Sequence, residues 1–396
     1  MNENVYYSLV NALYYMMTCG PYNYATPYLT EWGFSTSQIG TISLAAGVLG
    51  LVLQLSLADI SDKSSRISPT GVFLITLPIA IGAALCMYFF GHLSSIVFIG
   101  VFMLAYIIPR ILQSLITGFA FVIENAKHVH LNFGFCRAMG SFGFIFFNLL
   151  HGRWMQKDPF LTFPMAIAGG CAILWLIFFF FYRDLKPQGN KGVKRVKMGS
   201  PLELFKNKNY LSLVVGAFFV FYGPNAVGTF MYQKLLSIGR TTADIGGLAS
   251  IAAVLEMPSM LLFDKVRHHM SAAKIIVITG FISTIRCVVL ALAPNIVFLY
   301  IAYILQGMSW GLMAPAIARF INEKVDPSHV NTGQAYYYFS TSFVSMVASF
   351  IGGIMIEKTS LIFMFLSACG VSFLGMLIFV FGLEDRKTGK TDQAKA

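Results

Sequence analysis

The chain has 396 residues, 57% of them hydrophobic and 11% charged, with a mean hydropathy of +0.70. That balance excludes a soluble globular protein. The 28 Lys and Arg against 17 Asp and Glu give +11, which in so apolar a chain reads as membrane topology, not as a nucleic-acid surface.

A hydrocarbon core of about 30 Å takes about 20 apolar residues per helix. Cutting at polar clusters and turn residues predicts twelve spans: 5–30, 38–60, 71–90, 96–124, 134–154, 161–182, 209–235, 243–263, 272–292, 297–323, 333–356 and 359–383. Asn2, Glu3 and Asn4 precede the first span in place of a basic region, and no small-residue cleavage site follows it, so it reads as a retained helix. The one long polar connection, 183–208, carries Arg183, Lys186, Lys191, Lys194, Arg195, Lys197, Lys206 and Lys208, with Pro187 and Gly189 as breakers. The expected organisation is a six-helix bundle over 1–182, a basic cytoplasmic linker over 183–208, a second bundle over 209–384 and a tail over 385–396.

Basic residues near span ends are retained in the cytoplasm. With the N-terminus inside, inner loops and tail hold 19 Lys and Arg and outer loops hold five: Arg153, Lys157, Lys234, Arg240 and Lys358. An integral protein of the cell membrane with both termini cytoplasmic is expected.

The two halves echo one another. Gly33-Phe-Ser-Thr-Ser-Gln-Ile-Gly40 is matched by Gly239-Arg-Thr-Thr-Ala-Asp-Ile-Gly246, and Gly20-Pro21 by Gly223-Pro224. Asp62-Lys63 corresponds to Asp264-Lys265, and Asn132-x-Gly134 to Asn331-x-Gly333, at offsets between 199 and 206. Such a duplication predicts an all-α membrane protein of twelve helices in two pseudo-symmetric halves, the build of many secondary transporters.

Catalytic and metal chemistry find no support. Cys19, Cys86, Cys136, Cys171, Cys287 and Cys369 all lie in apolar segments without a CxxC pair or a histidine at ligand spacing. No phosphate-loop or dinucleotide fingerprint and no nucleophile–base constellation occurs, so neither enzyme activity nor a cofactor or metal is expected.

Charge inside a span costs about 2.5–3.5 kcal/mol at the helix centre on insertion scales, so such residues face a cavity or a partner. Glu256, eight residues before Asp264, lies deep in the eighth span. Arg286 sits inside the ninth span, with Glu256 its expected mate, and Arg137 begins the fifth. Arg110 and Arg319 occupy corresponding stretches of the fourth and tenth. The first span carries Tyr14, Tyr15, Tyr22, Asn23, Tyr24 and Tyr28, and the eleventh carries Gln334, Tyr336, Tyr337 and Tyr338; phenols suit either ring stacking on a polyhydroxylated solute or an interfacial belt. By the repeat, Gln54 is the counterpart of Glu256 and Tyr336 that of Arg137.

Leu57-Ala-Asp-Ile-Ser-Asp-Lys-Ser-Ser-Arg66 resembles the loop between the second and third helices of the major facilitator superfamily. The resemblance implies a conformational gate at Asp62, Lys63 and Arg66, repeated at Asp264 and Lys265. Over the full chain the sequence resembles the lactose permease group of sugar–proton symporters. Asn132-Phe-Gly-Phe-Cys-Arg137-Ala-Met-Gly-Ser-Phe-Gly-Phe144 is similar to that group's fifth-helix segment, which implies that Arg137 binds hydroxyls and Phe144 stacks on a sugar ring. Leu255-Glu256-Met-Pro258 and Thr284-Ile-Arg286 resemble its eighth-helix glutamate and ninth-helix arginine, implying proton coupling. Gln306 and Ser309 stand where the group has histidine and glutamate, Gly223-Pro-Asn225 where it has seventh-helix aspartates, and Glu124 one turn beyond its fourth-helix glutamate near Ala120. Glu124 is either a substitute in proton coupling or a loop-facing charge.

The expected activity is proton-coupled symport of a small polar solute (sugar, oligosaccharide or glycoside), with Arg137, Phe144, Glu256, Tyr336, Gln54 and Asn23 binding it and Glu256, Arg286 and Glu124 handling the proton. The expected partners are therefore a small-molecule substrate, a proton and the lipid bilayer. The 37 Phe and 19 Met also suit an alternative, proton-coupled efflux of amphipathic drugs. A cysteine placed at Gly192 should react with impermeant reagents only from the cytoplasmic face, and cysteines within 31–37 or 235–240 only from the other. Labelling of position 192 from outside would overturn the topology.

Overall fold

In hydrocarbon every backbone N–H and C=O must be bonded within the chain, a condition helices meet segment by segment. The computed structural model describes residues 3–63, 69–90, 95–182, 204–326 and 329–384, and their regular elements are helices throughout. In chain order they are α1 (Glu3–Cys19), a π-helical stretch (Gly20–Tyr24), α2 (Ala25–Glu31), α3 (Thr36–Lys63), α4 (Pro69–Phe89), α5 (Ser95–Lys127), α6 (Phe133–Lys157) and α7 (Pro159–Ile177), which runs on as a second π stretch (Phe178–Tyr182). After the linker follow α8 (Lys208–Thr229), α9 (Met231–Ser237), α10 (Thr242–Arg267), α11 (Ala272–Leu292), α12 (Ile296–Lys324), α13 (Val330–Lys358) and α14 (Leu361–Gly382).

Eleven of these helices are each long and apolar enough to cross a membrane. The expected first span is not one uninterrupted α-helix. Gly20 and Pro21 open its π stretch, and Tyr24, at φ −117° and ψ 3°, separates that stretch from α2. Proline has no N–H to give the α ladder, and a π turn shifts the bonding by one residue. The seventh span divides likewise, with Phe230 (φ −105°, ψ 23°) between α8 and α9 after Gly223-Pro224.

The repeat is visible in backbone geometry. Gly33 (φ +82°) and Gly239 (φ +69°) both adopt the left-handed conformation that ends a helix without a Cβ clash. In the first turn Phe34 N donates to Leu29 O at 3.1 Å and Gly33 N to Thr30 O at 2.9 Å; in the second Arg240 N donates to Leu235 O at 2.8 Å and Gly239 N to Leu236 O at 3.1 Å.

The helices gather into two compact units, Met1–Lys194 with Thr241–Ser250, and Arg195–Arg240 with Ile251–Ala396. The start of α10 thus clusters with the first unit. Most of the basic linker, 183–203, lies outside the described residues.

Within the first unit, α1 packs closely on α6 and α7 because glycines replace side chains at the crossings. A Cβ on Gly143 would stand 2.6 Å from Ala12 O, and one on Gly170 would stand 2.7 Å from Met17 Cβ. Buried tyrosines then bridge α1 to α5, Tyr7 donating to Ile116 O at 3.0 Å and Tyr14 to Pro109 O at 2.8 Å. Lys127 pairs with Glu3 at 2.8 Å, and Asn132 N donates to Asn4 Oδ1 at 2.7 Å.

The second unit uses the same means. Ser372 donates to Val220 O at 3.0 Å, tying α14 to α8, and Tyr210 donates to Gly333 O at 2.7 Å, tying α8 to α13. Gly311 of α12 lets that helix approach α10, where a Cβ would stand 2.7 Å from Glu256 O.

Gly143→Leu should lower the thermal midpoint of the purified protein by several degrees, since overpacking a close crossing costs about 1–3 kcal/mol. Gly100→Leu, where nothing lies within 4 Å, should leave it nearly unchanged. Equal midpoints for the two variants would contradict the crossing.

Candidate functional site

The π stretch in the first span presents Tyr22, 41% exposed, and the half-buried Asn23. It also leaves the carbonyl of Pro21 open to a side chain, and Arg110 Nη1 donates to it at 3.3 Å. The Arg110 guanidinium carbon lies 4.3 Å from the Tyr22 ring centroid and 4.9 Å from that of Tyr106. Tyr106, Arg110 and Gln113 recur at helical spacing, so they share one face of α5. Gln113 continues the network by accepting from Tyr22 Oη at 2.7 Å and donating through Nε2 to Tyr15 Oη at 3.4 Å.

A matching face of α6 holds Arg137, Ser141, Phe144 and Asn148. The Arg137 guanidinium carbon lies 4.1 Å from the Tyr15 ring centroid, and its Nη1 donates to Ser141 Oγ at 3.2 Å. The fully buried Asn148 accepts from Asn23 Nδ2 at 2.8 Å and donates to Phe144 O at 3.0 Å and Cys19 Sγ at 3.2 Å. The half-buried ring of Phe144 stacks on no other ring among the described residues. Three expected binding residues, Arg137, Phe144 and Asn23, therefore belong to one network in the first unit. Gln113 and Asn148, not singled out by the sequence, join its parts.

Other expected residues lie elsewhere. Gln54 is half-buried on α3. Glu124 lies beyond the apolar stretch Ile96–Thr117, where it accepts from Leu131 N at 2.8 Å and bonds His130 Nδ1 at 3.0 Å. Those bonds, the one to His130 first, hold its carboxyl below the usual range. Its partners there, His130 and Leu131, belong to the connection that follows α5.

In the second unit Arg286 is buried, its guanidinium carbon 5.5 Å from the Tyr303 ring centroid, and its Nε has no hydrogen-bond partner. The aromatic face of Tyr303 receives the Arg286 cation. Glu256 is half-buried on α10. Tyr336 lies against Phe205, centroids 6.2 Å apart. Arg319 pairs with Glu323 one turn along its own helix at 2.6 Å. Of the expected gate residues, Asp264 is bonded to Arg267 at 2.6 Å and Lys265 is exposed; the side chains of Asp62 and Lys63, and Arg66 entirely, lie outside the described residues.

The profile of the MFS_1 like family matches residues 5–367. An uncharacterized transporter YwbF of Bacillus subtilis is 23% identical over 67% of the chain, and a maltose permease of Geobacillus stearothermophilus is 23% identical over 64%. The chain spans 66% and 64% of the length of these two relatives. Among solved structures, the nucleoside transporter NupG superposes with a TM-score of 0.81 at 15% identity, covering 98% of this chain and all of that one. A POT family transporter in complex with 5-aminolevulinic acid superposes with a TM-score of 0.72 at 12% identity, over 96% of each chain. These likenesses are to transporters, not enzymes.

Asn148→Ala leaves the Asn23 amide without its acceptor and opens a buried gap. It should destabilise the protein by roughly 1–3 kcal/mol, read as a lower thermal midpoint without any solute. A midpoint equal to that of the exposed Ser56→Ala would show that Asn148 does not hold the network together.

Proposed function

The chain belongs to the MFS_1 like family, and from that premise we propose that it is a secondary transporter of a small, polar, ring-bearing solute such as a sugar or glycoside. Alternating access moves the solute, with a proton as the coupling ion. The observation that carries this reading is the network of Arg110, Tyr22, Gln113, Tyr15 and Arg137, with the ring of Phe144 free to stack. Guanidinium forks and phenol or amide groups placed by packed helices are what recognition of a polar solute needs. Carriers of varied amphipathic drugs rely on soft apolar walls, and so ordered a polar cluster disfavours that alternative.

Proton coupling falls to Glu256, a carboxylate deep in a span, with Arg286 as the positive group in the same unit. Gln306 and Ser309 cannot carry a proton near neutral pH. Asp62, Lys63, Arg66, Asp264 and Lys265, at helix ends on the expected cytoplasmic side, are assigned to gating. Gln54 and Tyr336 complete the expected lining.

Uptake into proteoliposomes tests the assignment. Arg137→Lys should lose most solute binding although the charge is kept, because the planar fork is lost. Phe144→Trp should be better tolerated than Phe144→Ala. Glu256→Gln should retain solute exchange and lose uptake driven by a pH gradient, since exchange needs only reorientation of the loaded carrier. Wild-type binding by Arg137→Lys, or full concentrative uptake by Glu256→Gln, would refute the corresponding role.

A further inference from the structure

The charges of the first unit do not balance in the apolar region. Its helices carry five apolar stretches, Thr36–Gln54, Thr70–Phe89, Ile96–Thr117, Phe133–Lys157 and Pro159–Tyr182, and none contains an aspartate or glutamate. Two of them hold Arg110 and Arg137. Arg110 lies seven residues inside the end of its stretch, about 10 Å at 1.5 Å per residue, too deep to reach the interface easily.

Among the described residues no carboxylate pairs with either arginine. Each is held by one hydrogen bond, Arg110 to Pro21 O and Arg137 to Ser141 Oγ, and by tyrosine rings. A guanidinium has five N–H donors in a planar fork, so most donors of both groups have no acceptor among the described residues. The second unit offers a contrast: Arg319, in the stretch corresponding to Arg110, pairs with Glu323 four residues on at 2.6 Å. The residue four positions after Arg110 is Ser114. Among the described residues Arg319 thus has a counter-charge on its own helix and Arg110 does not.

We propose that the Arg110 and Arg137 cluster of the first unit is an anion site, and that the transported solute is a ring-bearing organic acid whose carboxylate occupies a guanidinium fork. The ring has aromatic neighbours in Tyr22, Tyr15 and Phe144, and the remaining polar groups of the solute meet Gln113 and Ser141. A carboxylate matches the fork in two parallel hydrogen bonds, whereas a neutral hydroxyl leaves the charge uncompensated. The inference rests on the transporter reading above and narrows its substrate from polar solutes to acidic ones.

The test is thermal unfolding of the purified full-length protein with matched probes at constant ionic strength: glucuronate against glucose, and benzoate against benzyl alcohol. A ligand bound only by the folded state raises its midpoint. At least one acid should raise the midpoint while its uncharged partner does not, and Arg110→Lys or Arg137→Lys should weaken that acid about tenfold or more. Arg319→Lys, which keeps its pair with Glu323, should respond as wild type. Failure of both acids, equal stabilisation by an uncharged partner, or an unchanged response in both lysine variants would overturn the anion site. Stabilisation by glucose alone, lost in Arg137→Lys, would overturn the anion and leave the transporter reading standing.

Discussion

A positive charge that cannot be discarded must find compensation when its helix crosses hydrocarbon, and the first unit meets that demand without a carboxylate. Arg110 reaches a carbonyl made available by the Gly20-Pro21 π stretch and lies between two tyrosine rings; Arg137 rests on a third. This one arrangement joins the π stretch of the first span, the tyrosines of α1 and the polar faces of α5 and α6. These contacts hold each guanidinium in the span, and most of its donors have no acceptor among the described residues.

The supporting frame is a repeated one. Left-handed glycines at Gly33 and Gly239 close the same hydrogen-bonded turn, and a proline-bearing first helix is divided in both halves. Close crossings through Gly143, Gly170 and Gly311 replace side chains with backbone contact, so that the polar faces are borne on rigid helices. The two halves differ in their chemistry: among the described residues Arg319 has a glutamate, and Arg110 does not. If the solute carries one negative charge and one proton accompanies it, the loaded carrier moves no net charge, and the membrane potential then does no work on that step.

Much of this was legible in the sequence because hydropathy and charge act over long stretches. The spans and the repeat leave such signals, and Arg137, Phe144 and Asn23 are marked by residue type. Gln113 and Asn148 are not, since an uncharged amide in a span is unremarkable until spacing from Arg110 and Phe144 places it on their faces. The division of the first span depends on one Gly-Pro step, which hydropathy averages away. The contact of Arg286 with Tyr303 is not legible either, since an aromatic ring offers a cation a face that a count of charges ignores.

The central claim is that solute sits on the α5 and α6 faces beside Arg137, and Ser141 is the side chain placed to report it. In Ser141→Cys, a small change next to the guanidinium, the rate of reaction with a small thiol reagent should fall several-fold when glucuronate or benzoate is bound, and should not fall with glucose or benzyl alcohol. Labelling at the same rate with and without an acid that stabilises the protein would place the solute elsewhere and contradict the account.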